Sequence, residues 1–82
     1  MPISRKTYTE DEQEFIRSVG YKIQYFRKRA GLSQSQLAEK VDMSVTTIGR
    51  LEGSALFAPS LVGLYRIAKA LNIKPEQLMS FE

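Results

Sequence analysis

Ser33-Gln34-Ser35-Gln36-Leu37-Ala38-Glu39-Lys40-Val41-Asp42-Met43-Ser44-Val45-Thr46-Thr47-Ile48-Gly49-Arg50-Leu51-Glu52 is the stretch whose reading decides the fold. Ser33 with Gln36 three residues on is a capping box, which starts a helix at Gln34. Leu37, Ala38 and Val41 follow at helical spacing and make its inward face. Asp42-Met43 breaks the helix, and Asp is one of the few types besides Gly that tolerates a left-handed turn. Ser44 then caps a second helix, predicted over 45–52 and ended by Gly53-Ser54. Two short helices joined by a turn of about three to four residues form a helix-turn-helix layout.

The second of these helices has an unusual outer face. At about 100° per residue from Val45, Gly49, Thr46 and Arg50 fall at about 40°, 100° and 140°. Ile48 and Leu51 fall at about 300° and 240°, toward a core. The outward side is slim, free of acid, and carries one cation. A helix entering a DNA major groove about 12 Å wide needs such a face, whereas a merely solvated helix more often shows Glu and Lys.

Three further helices flank this pair. Upstream, Thr9 and Glu12 form another capping box, with Glu10 and Asp11 placed where a helix dipole favours acids. The acids from Glu10 to Glu14 are read as dipole compensation and a solvated face, not as a cation site. Ile16, Val19, Ile23, Phe26 and Ala30 make one helical stripe that ends at Gly31, a left-handed cap. Gly20 is a weak point in this helix, worth about 1 kcal/mol against Ala. Downstream, a helix over about 60–71 is predicted to bury Leu61, Leu64, Ile67, Ala68 and Leu71, with Asn72 at its C-cap. Pro75 opens a last short helix, stapled by Ile73 and Leu78. No strand pattern competes, so the fold is expected to be all-α with five helices.

Composition narrows the function. With 82 residues there is room for one core, and the apolar and charged shares of 43% and 26% are those of an ordinary globular chain. Residues 1–17 are expected to form an N-terminal extension leading into the first helix, and residues 18–82 the domain proper. There is no Cys, which removes disulfides and thiolate zinc sites. There is no His, which removes triads, HExxH sites and imidazole acid-base steps. No enzyme, cofactor, metal site or small-molecule ligand is expected. The longest apolar run, Ala55-Leu56-Phe57-Ala58, falls far short of the roughly 20 residues of a membrane span. A cytoplasmic location is expected. Net charge is +3, concentrated after residue 17, which suits a polyanionic partner.

Several stretches together carry a family likeness: Arg27-x-x-x-Gly31-Leu32-Ser33-Gln34-x-x-Leu37-Ala38-x-x-Val41, then Ser44-x-x-x-Ile48-x-x-Leu51-Glu52, then Pro59-Ser60-Leu61 and Ala68-x-Ala70-Leu71. Over about residues 19–80 the chain resembles the phage-repressor/Cro-type helix-turn-helix (XRE) family. The resemblance implies a compact five-helix, lambda-repressor-like DNA-binding domain, here with a lengthened first helix. It implies a transcriptional regulator, expected to be a repressor, that binds a near-palindromic double-stranded DNA operator as a homodimer. The alternative is a protein-interaction module of the same fold, antitoxin-like or a regulator-binding partner.

Roles follow residue by residue from that resemblance. Val45, Thr46 and Arg50 match base-reading positions, and Arg50 is suited to a bidentate pair with guanine. Gln34 and Ser44, at helix starts, with Lys40 and Gly53, match or suit phosphate contacts. Lys28 and Arg29 are generic phosphate candidates. Arg27 and Glu52 match a structural pair tying the first helix to the third. Leu56, Phe57, Met79 and Phe81 are apolar at expected surface positions, and form a candidate dimer interface. The chain departs from the family pattern after Glu52. That loop is one residue longer than usual and lacks its Lys/Arg and central Gly.

Overall fold

The computed structural model describes residues 7–53 and 56–80. Five helices follow in order: α1 Glu10–Arg29, α2 Gln34–Val41, α3 Val45–Glu52, α4 Leu61–Ala70 and α5 Glu76–Met79. No strand occurs among the described residues.

The caps expected from the sequence set these boundaries. Thr9 and Glu12 close a reciprocal capping box, with Glu12 N donating to Thr9 Oγ1 at 3.1 Å and Thr9 N to Glu12 Oε1 at 2.9 Å. Ser33 and Gln36 do the same for α2. Ser44 caps α3 through Thr47 N as expected, whereas Ser60, expected as the first residue of the fourth helix, is instead the residue that caps α4 through Gly63 N. At the exits, Gly31, Asp42 and Asn72 take left-handed backbones with φ of 75°, 57° and 58°. α1 runs unbroken through position 17, the boundary expected between an extension and the domain proper.

Each helix contributes one fully buried large side chain: Ile23, Leu37, Ile48, Ile67 and Leu78. Each such burial is worth roughly 1.5–3 kcal/mol before entropy is counted. Val19, Ala38, Val41, Leu51, Leu64, Ala68 and Leu71 complete the core.

Three expectations need correction. Leu61 is not buried but 81% exposed. On α4, Leu64, Ile67, Ala68 and Leu71 span an arc centred near 290° when Leu61 is set at zero, so Leu61 stands about 70° off their centre, on the first turn. Ala30 is exposed because it is the C-cap of α1, where the chain already turns away. Gly20 is no mere weak point. It is buried where α1 crosses the end of α3, and a Cβ there would overlap the carbonyl oxygen of Leu51. The two helices approach this closely only because residue 20 has no side chain.

Candidate nucleic-acid interface

α3 owes its orientation to Ile48 and Leu51, 0% and 3% exposed, which pin one side of it into the core. The opposite side is thereby fixed outward. Val45, Thr46 and Arg50 are all exposed on it, as the helical angles predict, with Gly49 half-buried between them. Thr47 lies at the margin, and its Oγ1 is 2.9 Å from Ser44 Oγ.

The N-termini of α2 and α3 bring Gln34 and Ser44 to the starts of their helices. Unpaired N–H groups in a helix's first turn, together with its dipole, make such starts natural positions for phosphate oxygens. Both side chains already have partners. Ser44 Oγ accepts from Thr47 N at 3.0 Å. Gln34 Nε2 donates to Glu52 Oε1 at 3.1 Å, and its own Oε1 lies 3.9 Å from where a Cβ on Gly49 would be.

That bond joins Gln34 to a buried ion pair. Arg27 Nε donates to Glu52 Oε2 at 2.6 Å and Nη2 to Oε1 at 3.0 Å, in fork geometry. Arg27 Nη1 donates to Leu32 O at 2.8 Å. The two side chains are 8% and 2% exposed. Three elements are clamped: α1 by Arg27, the start of α2 by Gln34, and the end of α3 by Glu52. The carboxylate is also neutralised, so α3 presents no free negative charge beside its outward face.

The remaining candidates scatter. Gly53 is exposed in extended backbone, its N–H bonded to Arg50 O at 3.3 Å. Lys40 lies at the far end of α2 from Gln34, beside a cleft of about 610 Å³ with Asp42, Arg66 and Lys69. Among the dimer candidates, Phe57 and Met79 are each 39% exposed and Leu56 is half-buried with φ 52°. Phe81 lies outside the described residues.

Two features escape a sequence reading. Arg50 Cζ sits 5.9 Å from the centre of the Phe57 ring, a cation–π contact from the loop after α3. Nothing local in the sequence announces it. α4 also carries an uncovered apolar face, with Leu61, Val62 and Tyr65 exposed by 81%, 57% and 54%. The helical angles contained that signal, because Val62 and Tyr65 fall at about 100° and 40° from Leu61, away from the core arc.

Comparison with known proteins agrees with this architecture. A helix-turn-helix family model matches residues 23–78. A protein from Archaeoglobus fulgidus named as an uncharacterised HTH-type transcriptional regulator is 38% identical over 61 residues, covering 74% of this chain and 86% of its own. The crystal structure of a restriction-modification controller protein from Aeromonas hydrophila superposes with a TM-score of 0.72 at 30% identity, covering 77% of this chain and 94% of that one. A master regulator for biofilm formation, solved in complex with DNA, gives a TM-score of 0.72 at 27% identity, covering 76% and 98%. None of the described helices is long and apolar enough to cross a membrane. The chain belongs to the helix-turn-helix family of transcriptional regulators.

Proposed function

We propose that the chain is a sequence-specific, double-stranded DNA-binding regulator that acts as a repressor by occupying its site. The outward face of α3 carries this reading: Val45, Thr46 and Arg50 are exposed, free of neighbouring acid, and held on a helix whose other side is locked in the core. In the major groove, Arg50 pairs with guanine O6 and N7, Val45 meets a thymine methyl, and Thr46 reaches a base edge. Gln34 and Ser44 bring the first turns of α2 and α3 to phosphates, with Gly53 contributing backbone beside them and Lys40 a more distant charge. The biofilm regulator, solved in complex with DNA, supports this reading.

We infer that it binds a near-palindromic operator as a homodimer, a reading that the second exposed surface supports. Leu61, Val62 and Tyr65 form an apolar face that one copy leaves uncovered, with Leu56, Phe57 and Met79 as further apolar candidates. The same face is what an interaction module of this fold would use. DNA selection separates the two readings.

The test selects bound duplexes from a random pool and then measures Arg50→Ala on the preferred site and on random DNA. Arg50→Ala is expected to lose roughly 1–3 kcal/mol on the preferred site and almost nothing on random sequence. Equal losses on both would remove Arg50 from base reading. Recovery of no preferred site would leave the interaction-module reading standing.

A further inference from the structure

From Phe15 to Ala38 the sequence has no acidic residue and five cations, Arg17, Lys22, Arg27, Lys28 and Arg29. Arg27 is neutralised by Glu52. The other four have no ion pair among the described residues. Taken at about 100° per residue from Tyr21, Arg17, Lys28, Tyr25 and Arg29 lie on α1 at about −40°, −20°, 40° and 80°. The buried Val19, Ile23 and Arg27 lie at about 160°, 200° and 240°. Aromatic and basic side chains thus share the face opposite the core.

This face is open and partly ordered. Tyr21 is 66% exposed and Tyr25 47%. With Gln24, Lys28 and Arg29 they line a shallow hollow of about 420 Å³. The Tyr25 ring is held edge-on against Phe26, with centroids 5.1 Å apart and planes at 78°. Arg29 Nη1 donates to the Tyr25 hydroxyl at 3.3 Å, which keeps a cation beside the ring.

The ordinary explanation for cations in a last turn is the helix dipole, equivalent to about half a negative charge. Lys28 and Arg29 exceed that, and a dipole accounts for no exposed tyrosine. A second copy of this face would be repelled by like charge. Glu10 and Glu14 share its direction but stand more than one turn N-terminal to Tyr21, so the basic stretch begins beyond them.

We propose that this face of α1 binds single-stranded nucleic acid, with Tyr21 and Tyr25 stacking on bases and Lys28 and Arg29 holding backbone phosphates. A positively charged track with aromatic rings is the chemistry that recognises unpaired strands without sequence preference. Four helical residues rise about 6 Å, nearly twice the roughly 3.4 Å between stacked bases of one strand. The two rings therefore take neighbouring bases only when those are unstacked. A duplex keeps its base faces covered and offers the rings nothing. None of the base-reading residues of α3 takes part, and Lys28 and Arg29 can serve either kind of strand, so the two tyrosines are what separate this site from duplex recognition.

The experiment measures fluorescence anisotropy of labelled 12-nucleotide strands at about 50 mM salt, one of thymidines and one abasic, with the full chain. The thymidine strand is expected to bind at least about tenfold more tightly than the abasic one. Tyr21→Ala/Tyr25→Ala should abolish that difference, with helicity unchanged by circular dichroism. Tyr21→Phe/Tyr25→Phe should restore it, because Phe stacks equally well. Lys28→Gln/Arg29→Gln should weaken both strands and flatten the salt dependence. Arg50→Ala should leave all of this unchanged. Equal binding of both strands by the wild-type chain overturns the proposal, and so does full retention of the difference without the tyrosines. Competition by polyglutamate as strong as by the thymidine strand, lost in the tyrosine variant, would assign the face to an acidic polypeptide instead.

Discussion

A methyl group at position 20 is enough to force α1 and α3 apart, because the atom it meets is the Leu51 carbonyl oxygen and not a side chain that can swing away. Gly20→Ala gains up to about 1 kcal/mol in helix propensity. It also overpacks a backbone contact, an effect of roughly 1–3 kcal/mol. The contact should win. The urea midpoint is expected to fall at unchanged slope, and an equal or higher midpoint would mean that the helices yield easily. The ion pair one turn on from Ile23 follows a different logic. Glu52→Ala leaves the buried Arg27 guanidinium without its carboxylate and frees the Gln34 amide, so a loss of about 3–5 kcal/mol is expected. Arg27→Met/Glu52→Leu should recover most of that loss, since apolar replacement removes the desolvation cost along with the charges. If the double variant is no better than the single one, the pair itself supplies the stability and not merely the avoidance of an orphaned charge.

At the scale of the elements, most of the fold is legible because it is locally encoded. Thr9, Ser33 and Ser44 announce helix starts with one hydroxyl each, and Gly31, Asp42 and Asn72 announce exits through left-handed backbone. α3 occupies 45–52 as its sequence predicts. Its inward Ile48 and Leu51 also fix which side faces out, so the exposure of Val45, Thr46 and Arg50 could be read before any contact was known. Illegible features are those that join distant residues, the Arg27–Glu52 pair excepted because the family resemblance implies it. The Gln34–Glu52 bond spans 18 positions and the approach of Gly20 to Leu51 joins α1 to α3. The Arg50–Phe57 contact depends on the path of a loop that carries no cap or periodicity. Leu61 departs from its expected burial for a subtler reason. Its spacing of three before Leu64 is compatible with the core stripe, but a first-turn residue at the edge of the buried arc has no helix beyond it to cover it.

For the molecule as a whole, the open question is what covers α4. Leu61, Val62 and Tyr65 expose more than half of their surface, while most large apolar side chains on α2, α3 and α5 are buried or half-buried. One copy of the chain has nothing further to place there among the described residues. A second copy related by two-fold symmetry brings the same patch to itself, and such isologous pairing is the commonest form of self-assembly. A dimer that reads two half-sites of a near-palindrome must hold its two α3 helices about one DNA turn, roughly 34 Å, apart. Leu61→Ser/Val62→Ser tests this without touching the core, since both side chains are exposed already and the fold should stay fully helical. Sedimentation of the variant is expected to shift toward monomer, and operator binding to weaken and to require higher protein concentration. Phe57→Ser separates the loop from the α4 face, because it removes the ring beneath Arg50 and should affect DNA binding even where association is kept. A wild-type chain that sediments as monomer at high micromolar concentration, both free and on its operator, would remove the dimer. In that case the α4 face must serve some other protein, and the operator would be read one half-site at a time.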